Sequence, residues 1–129
     1  MIVAISGSMS HISNIQEIAR DLEAIGDTVY LPNVSEAEVT GVALRKRKPD
    51  LIKDHYTKIR AADVLIVANY DKKGIKNYIG GNTLIEMAFA YALGKSIYLM
   101  NNVPEMDYTD EIHGLEPKIL HNNINELRR

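Results

Sequence analysis

The stretch VLIVANYDKKGIKNYIGGNTLIEMAFAYALGKSIYLM, residues 64–100, indicates the fold class of this chain. Val64–Ala68 and Ser96–Met100 are short, mainly apolar runs, which is typical of strands covered on both faces of a sheet. The segment from Gly81 to Leu93 is predicted to be helical and is followed by Gly94, a residue type that often ends helices. A strand, a helix and a second strand in this order predict two parallel strands joined by a right-handed crossover.

The sequence before this stretch predicts a second unit of the same kind. Ile2–Ile5 is a short apolar run, and the segment from Ile15 to Ile25 carries apolar residues at helical spacing before Gly26. The next predicted strand is Thr28–Leu31. Residues 33–48 are polar and weakly periodic, so we expect a long connection there with no more than a helical turn.

The remaining predicted elements complete an alternating order of strands and helices. We expect a helix from about Asp50 to Ala62, a short helix at Asp110–Leu115 and a fifth strand at Lys118–Leu120. This alternation predicts a single three-layer α/β domain over residues 1–129, flavodoxin-like or Rossmann-like in architecture. Its parallel sheet of four or five strands is expected to have the common order 2-1-3-4-5, with helices on both faces.

The composition excludes several classes of protein. The chain has 129 residues, of which 46% are apolar and 25% are charged, and its net charge is -2. These values are typical of one globular domain and disfavour a dedicated nucleic-acid binder, which usually has a basic excess. Because the chain has no cysteine, disulfides and thiolate metal sites are excluded. No signal peptide or membrane segment is expected, which predicts a cytoplasmic protein.

The motifs predict neither a cofactor nor a metal site. Neither GxGxxG nor GxxxxGK[ST] occurs, so the signatures of a dinucleotide fold and of a P-loop are missing. ATP-driven phosphoryl transfer thereby loses its main sequence support. The four histidines are dispersed and show no HExxH-like spacing, which gives no basis for a metal site.

The predicted strand order places a ligand crevice at the carboxyl ends of the first and third strands. The loops that meet there are Ser6–Ser13 and Asn69–Asn82. Backbone N–H groups and hydroxyls in the first loop suit an anion, whereas the alternative is a plain turn with serine caps. In the second loop, polar side chains suit a sugar or a base, and the alternative is an Asx-type turn. The candidate binding residues are Ser6, Gly7, Ser8, Ser10, Asn69, Tyr70, Asp71, Gly80, Gly81 and Asn82.

One charged residue interrupts an otherwise apolar helix. From Leu84 to Leu93, every residue except Glu86 is apolar or aromatic. Burying an unpaired carboxylate costs several kcal/mol, so such a residue normally has a partner or a task. We expect Glu86 to face the crevice, although it could instead reach solvent or pair with Lys72 or Lys76. The helix has more apolar faces than one sheet can cover, which predicts a homodimer or larger assembly through Leu84–Leu93.

Several segments together resemble one enzyme superfamily. They are Ser6-Gly7-Ser8 after the first strand, the segment Ala62–Val67, and Glu86 followed by Ala88, Ala90 and Gly94-Lys95. Over roughly residues 1–103 this combination resembles the nucleoside 2-deoxyribosyltransferase superfamily, which includes the 2′-deoxynucleoside 5′-phosphate N-hydrolases. Its most specific element is the glycine-preceded glutamate with small residues two and four positions later.

The resemblance implies a small-molecule substrate, a nucleoside or nucleoside 5′-monophosphate, and Glu86 as the nucleophile. In that superfamily the glutamate attacks the anomeric carbon, and a base or water then completes transfer or hydrolysis with retention. His55 occupies the position of a family aspartate, and Asp54 stands beside it. The resemblance therefore implies that His55 or Asp54 assists the departure of the nucleobase. The residues Ser6–Ser10 would hold the 5′ group.

The sequence also departs from the family pattern. Gly80 stands where many members have an acidic or hydroxyl residue, and Ala4 stands where N-hydrolases have an aromatic residue. Tyr70 or Tyr78, from the following loop, is the alternative source of that aromatic ring. These departures keep open a noncatalytic nucleotide-binding module, and an interaction protein that dimerises through the apolar helix is a third alternative.

Overall fold

The computed structural model describes residues 1–32 and 41–128, and within them the sheet has five strands. These are β1 (Ile2–Gly7), β2 (Thr28–Tyr30), β3 (Val64–Ala68), β4 (Ser96–Leu99) and β5 (Lys118–Ile119). All neighbouring strands pair in parallel, in the order β2-β1-β3-β4-β5. The strand order and direction predicted from the sequence are therefore confirmed.

Helices cover both faces of this sheet. They are α1 (Ile12–Ala24), α2 (Gly41–Ala61), α3 (Gly81–Ala92) and α4 (Thr109–Gly114), with 3-10 turns at Met9–His11 and Ile124–Arg128. One apolar core lies between the sheet, α1 and the C-terminal 3-10 turn, and a second lies between the sheet and α2, α3 and α4. The domain is thus a three-layer α/β sandwich, as predicted.

The side chains of β1 alternate between the two cores, because successive residues of a strand point to opposite faces. Val3 and Ile5 belong to the core on the α1 side, and Ala4 belongs to the core under α2 and α3. Ser6 lies two residues after Ala4, so its hydroxyl also faces α2 and α3. The strand period therefore brings a buried polar group to that one layer.

α2 begins earlier than the sequence pattern predicts. It runs from Gly41 through Pro49 to Ala61, instead of starting near Asp50. A proline inside a helix removes one backbone hydrogen bond, but Pro49 is exposed, so water can reach the carbonyl group that loses its partner. The prediction of a connection was therefore wrong for residues 41–48. Residues 33–40 lie outside the described residues.

Gly7 allows a close approach where β1 ends. It pairs with Ala68 of β3, and a Cβ atom at position 7 would lie 3.0 Å from the carbonyl oxygen of Ala68. The same Cβ would lie 3.2 Å from the Ile15 side chain of α1. The chain then turns into residues 8–10, here named the serine loop, which leads into α1.

Within the described residues, none of the helices has the length and apolar character needed to cross a bilayer.

Candidate active site

Ser6, His55 and Glu86 converge at the carboxyl end of β1, between α2 and α3. The Ser6 hydroxyl donates to Glu86 Oε2 at 2.7 Å and lies 3.1 Å from His55 Nε2. His55 Nε2 lies 2.5 Å from the same carboxylate oxygen. These three residues, here named the Glu86 cluster, come from three separate elements and form one polar group beneath the helices.

The Glu86 cluster is largely shielded from solvent. Ser6 is fully buried, and the side chains of His55 and Glu86 are 8% and 16% exposed. A carboxylate at this depth needs hydrogen bonds or an opposite charge to offset its desolvation. Both contacts fall on Glu86 Oε2, whereas Oε1 accepts no hydrogen bond from the described residues. One carboxylate oxygen is therefore held in place, and the other is not engaged by the described protein groups.

The distances within the cluster fix where its hydrogens lie. Ser6 donates its single hydroxyl hydrogen to Glu86, so its oxygen can only accept from His55 Nε2, and the Glu86 carboxylate oxygen near the same nitrogen is also an acceptor. His55 therefore carries a hydrogen on Nε2. In a serine-histidine-acid triad, the serine and the acid bind opposite nitrogens of the imidazole. Here both bind Nε2, so the cluster is not arranged to activate Ser6 as a nucleophile.

The spacing of residues on each helix explains the cluster. The buried residues of α2 recur every four positions and are Leu51, His55 and Ile59. His55 therefore lies on the face of α2 that packs against the sheet. On α3, Glu86 precedes the fully buried Met87, at the edge of the stripe that packs on the same sheet. Since α2 and α3 are neighbours, their two polar side chains meet.

A cleft opens at the Glu86 cluster between α2, α3 and the serine loop. Its volume is about 210 Å³. Besides polar groups, the lining includes apolar side chains, namely Met9, Pro32, Leu51, Ile52, Ile85 and Phe89. An apolar wall that faces a few polar groups suits a ligand with one planar or apolar part and one polar part.

Half of the ten predicted binding residues line this cleft. They are Gly7, Ser8, Gly80, Gly81 and Asn82, with Ser6 held in the Glu86 cluster beneath them. Ser10 lies at the exposed rim, where its hydroxyl oxygen is 2.8 Å from that of Ser8. The two loops that the sequence predicted to meet at the crevice thus do so.

Asp54 and His55, which were predicted to assist the leaving nucleobase, lie in different parts of the site. Asp54 lines the entrance of the cleft and pairs with Lys58 at 3.1 Å. His55 is buried against Glu86. Adjacent residues on a helix point about 100° apart, so one helix turn cannot bring both groups to the same ligand atom. Only Asp54 remains at the open side.

Asn69 does not line the cleft. It is fully buried, and its amide nitrogen donates to the backbone carbonyls of Asn101 and Asn102 at 3.0 and 3.1 Å. Its amide oxygen accepts the backbone N–H of Asn101 at 3.0 Å. The residue therefore ties the loop after β3 to the loop after β4, and this corrects its predicted place among the ligand-binding side chains.

Tyr70 and Asp71 also lie outside the cleft lining. The Tyr70 hydroxyl donates to Asn122 Oδ1 at 3.3 Å. Burial, assisted by the negative charge of Glu17, raises the pKa of Tyr70, so its hydroxyl keeps its hydrogen. Asp71 Oδ1 accepts the backbone N–H of Asn77 at 3.0 Å, a contact that shapes the loop itself. The contact spans six residues and is therefore not the Asx-type turn that the sequence left open as the alternative.

Tyr78 and Lys72 line the cleft instead. Of the two tyrosines named as alternative aromatic partners, Tyr78 is therefore the one in the site. Lys72 Nζ donates to Ser8 Oγ at 2.7 Å and lies 5.5 Å from the centre of the Tyr78 ring. Sequence reasoning did not place Lys72 in the cleft, because a lysine in a polar loop with Lys73 and Lys76 has no local feature that sets it apart.

The segment that carries Tyr78 is anchored from α4. The hydroxyl of Tyr108 donates to the backbone carbonyl of Ile79. Burial raises the pKa of Tyr108, and the neighbouring Tyr78 and Asp107 add to the shift, so the hydroxyl remains a donor.

For metals, the described residues contain no group of three or more histidine or acidic side chains that could hold an ion.

Comparisons with known proteins agree with this architecture. No protein-family model and no curated protein matches the chain. Among solved structures, the 2-deoxyribosyltransferase of Bacillus psychrosaccharolyticus matches 77% of this chain and 71% of its own, with 21% identity and a TM-score of 0.56. The CMP N-glycosidase of Clostridium botulinum matches 98% of this chain and 95% of its own, with 19% identity and a TM-score of 0.59.

A third structure has the same fold. The 2-desoxiribosyltransferase of Leishmania mexicana matches 78% of this chain and 65% of its own, with 16% identity and a TM-score of 0.55. The domain therefore shares its α/β sandwich fold with two deoxyribosyltransferases and a CMP N-glycosidase.

Proposed function

We propose that this protein cleaves the N-glycosidic bond of a nucleoside or nucleoside 5′-monophosphate, with Glu86 as the nucleophile. The observation that carries the proposal is the Glu86 carboxylate itself. Its Oε2 is held by Ser6 and His55 at the floor of a small cleft, and its Oε1 has no hydrogen bond from the described residues. The fold shared with two deoxyribosyltransferases and a CMP N-glycosidase supports the same chemistry.

The proposed reaction has two steps. In the first, Glu86 Oε1 bonds to the anomeric carbon while the bond from that carbon to the base nitrogen breaks, and the electron pair leaves with the base. In the second, water or another base attacks the same carbon and loses its proton to solvent or to the departed base, and the ester electrons return to Glu86. Two inversions at one carbon give net retention.

Ser6 and His55 serve the second step most directly. When the ester breaks, negative charge returns to the Glu86 carboxylate, where the Ser6 hydroxyl already donates to Oε2 and His55 Nε2 lies 2.5 Å from it. Donors that are in place before the charge appears stabilise it without reorganisation. We therefore assign these two residues to holding and stabilising the nucleophile.

The base side of the cleft is assigned to Asp54, Tyr78 and Phe89. Tyr78 and Phe89 provide ring faces for a planar base, and Asp54 stands at the entrance. Asp54 is paired with Lys58, so we assign it to accepting a hydrogen bond from the base. Protonation of the leaving base then falls to His55 or to water that enters with the ligand.

A noncatalytic nucleotide-binding module is the second candidate. It is favoured by the pairing of both acid candidates, since Asp54 contacts Lys58 and His55 contacts Glu86. In that case the cleft would bind a nucleotide and release it unchanged. The two candidates differ in a single measurable product, which is the free base.

The test is base release from a panel of nucleosides and their 5′-monophosphates, in ribo and deoxyribo forms, with and without a second base as acceptor. We expect the wild-type protein to release base and Glu86→Gln to lose at least about 10³-fold of that activity. Glu23→Gln, a matched change at an exposed residue of α1, should leave it unchanged. Ligand-induced thermal stabilisation without base release would establish the binding module instead.

A further inference from the structure

The charges in the cleft are unevenly matched. Glu86 contacts His55, and Asp54 contacts Lys58. Lys72, the remaining charged residue of the lining, has no acidic partner among the described residues. Among the described residues, its ammonium group contacts the hydroxyl of Ser8 and the face of the Tyr78 ring. A half-buried cation without a counter-charge, placed in a ligand cleft, indicates a ligand that brings negative charge.

Lys72 is held in place by its own backbone. Its N–H donates to the carbonyl of Ile75 at 3.0 Å, and its carbonyl accepts the N–H of Ile75 at 2.9 Å. The Ser8 hydroxyl oxygen accepts a hydrogen bond from the Lys72 ammonium group and lies 2.8 Å from the Ser10 hydroxyl oxygen. A cation and two hydroxyls are therefore gathered at one side of the cleft before any ligand binds. Such donors are well suited to the oxygens of a phosphate group.

The position of this group relative to the nucleophile limits what it can bind. Ser6 contacts Glu86, and Ser8 follows two residues later in extended conformation, with φ -70° and ψ 140°. Two extended residues span about 6.6 Å. Lys72, Ser8 and Glu86 line the same cleft, so a ligand whose phosphate contacts Lys72 and Ser8 lies in the cleft that Glu86 faces.

We propose that Lys72, with Ser8, selects nucleoside 5′-monophosphates over nucleosides as the substrates of this cleft. The proposal rests on the proposed N-glycosidic activity and names its substrate class. Lys72 is the specificity-determining residue, because its charge has no protein partner among the described residues and is satisfied only by an anionic ligand. Glu86 and the groups around it are indifferent to whether the 5′ position carries phosphate.

The experiment compares kcat/KM for each nucleoside and its 5′-monophosphate in four proteins, namely wild type, Lys72→Met, Lys72→Arg and Lys73→Met. Lys73 is the matched control, since its ammonium group lies 5.7 Å from the centre of the same Tyr78 ring but Lys73 does not line the cleft. We expect wild type to prefer monophosphates by about 10- to 100-fold, the range of a charge-assisted contact. Lys72→Met should remove that preference by lowering kcat/KM for the monophosphate more than for the nucleoside, whereas Lys73→Met should retain it.

Two kinetic results would overturn the proposal. One is equal turnover of nucleosides and monophosphates by wild type. The other is an equal loss for both substrates in Lys72→Met, which would show a role in loop structure alone. Lys72→Arg keeps the charge and should retain more of the preference than Lys72→Met.

A binding measurement separates this proposal from the proposed activity. Thermal shifts are recorded for wild type and Lys72→Met with inorganic phosphate, a nucleoside and its 5′-monophosphate. If no protein releases base but the monophosphate stabilises wild type alone, the subsite stands and the glycosidase does not. If base is released but no phosphate compound shifts wild type more than Lys72→Met, the subsite is wrong and the glycosidase stands. Stabilisation by inorganic phosphate as strong as by the monophosphate would assign the group to free phosphate instead.

Discussion

His55 Nε2 lies 2.5 Å from Glu86 Oε2, and this contact joins α2 to α3 at the floor of the cleft. Ser6 completes the contact from β1 by donating to the same oxygen. The three elements that build the cleft are therefore linked through one carboxylate oxygen. The orientation of the proposed nucleophile depends on the packing of both helices on the sheet.

The first prediction concerns this contact. His55→Ala removes one of two donors to Glu86 Oε2, so we expect kcat to fall by about 10- to 100-fold with little change in KM. His55→Gln keeps an N–H donor and should recover part of the loss. Steady-state kinetics of the three proteins provide the measurement, with Asp54→Asn as a comparison at the cleft entrance.

The substrate can separate a positioning role of His55 from proton donation. A substrate whose leaving group needs no proton should be as sensitive to His55→Ala as a natural nucleoside if His55 positions Glu86. If that substrate is instead turned over normally by His55→Ala, His55 acts as the acid for the leaving base. A full kcat with every substrate would show that Ser6 alone is enough to hold the carboxylate.

The second prediction concerns acid stability and Asp27. Its side chain is 3% exposed and pairs with Arg128 and with the Met1 amino group. Burial by itself raises the pKa of Asp27, but hydrogen bonds and charge attraction from these two partners together outweigh it, so the pKa lies below its ordinary value. A lowered folded-state pKa means that the stabilisation is present above the unfolded-state pKa, about 3.9. It is lost as the pH falls through the folded-state value.

We therefore expect Asp27→Asn to lower the free energy of unfolding by about 1–3 kcal/mol at neutral pH. The difference from wild type should shrink as the pH falls below about 4. Urea unfolding at several pH values measures this, with Asp21→Asn as a control at an exposed position of α1. A difference that stays constant down to acid pH would contradict the role of the Asp27 charge.

The third prediction concerns the end of β1. Gly7→Ala places a methyl group 3.0 Å from the carbonyl oxygen of Ala68, which is backbone held in the sheet. We expect a loss of about 1–3 kcal/mol in the free energy of unfolding, as for other overpacked positions. Gly114→Ala is the matched control, because nothing lies within 4 Å of its added Cβ. Thermal melts of the two variants should differ clearly, and equal melting temperatures would show that β1 and β3 can separate without cost.

The fourth prediction concerns assembly. The sequence predicts a homodimer through Leu84–Leu93, and two large side chains of α3, Ile85 and Tyr91, are 43% and 48% exposed. We expect Tyr91→Glu to shift the protein toward monomer in light scattering, because a buried glutamate at an interface would be unpaired. Ile25→Glu, at the end of α1 across the sheet, should have no such effect. A monomeric wild type would exclude this interface.

The strand order and the place of the cleft were accessible from sequence because they depend on local patterns. Continuous apolar runs such as Val64–Ala68 predict buried parallel strands, and strands that alternate with helices allow few topologies. Because of Pro49, the same reasoning predicted the start of α2 too late in the chain. The cost of a proline inside a helix depends on whether water can reach the freed carbonyl. That exposure is a property of the folded chain.

The candidate site, too, could be predicted from the sequence only in part. A lone carboxylate in an apolar helix stands out in the sequence, so Glu86 was identified from its neighbours alone. Its partners were not: Ser6 was expected to touch the ligand, and His55 was expected to serve the base. Asn69 and Tyr70 were placed in the correct loop but face other loops in the fold.

The amino-acid sequence by itself thus determined the architecture and the one acidic residue most in need of an explanation, because both follow from the periodicity and polarity of neighbouring residues. The tertiary structure alone decided which oxygen of Glu86 is held, that His55 holds it, and that Lys72 stands in the cleft without an acidic partner among the described residues. Contacts of this kind join residues that are distant in the chain. Their geometry is set by how two helices pack on a twisted sheet, which no local pattern encodes.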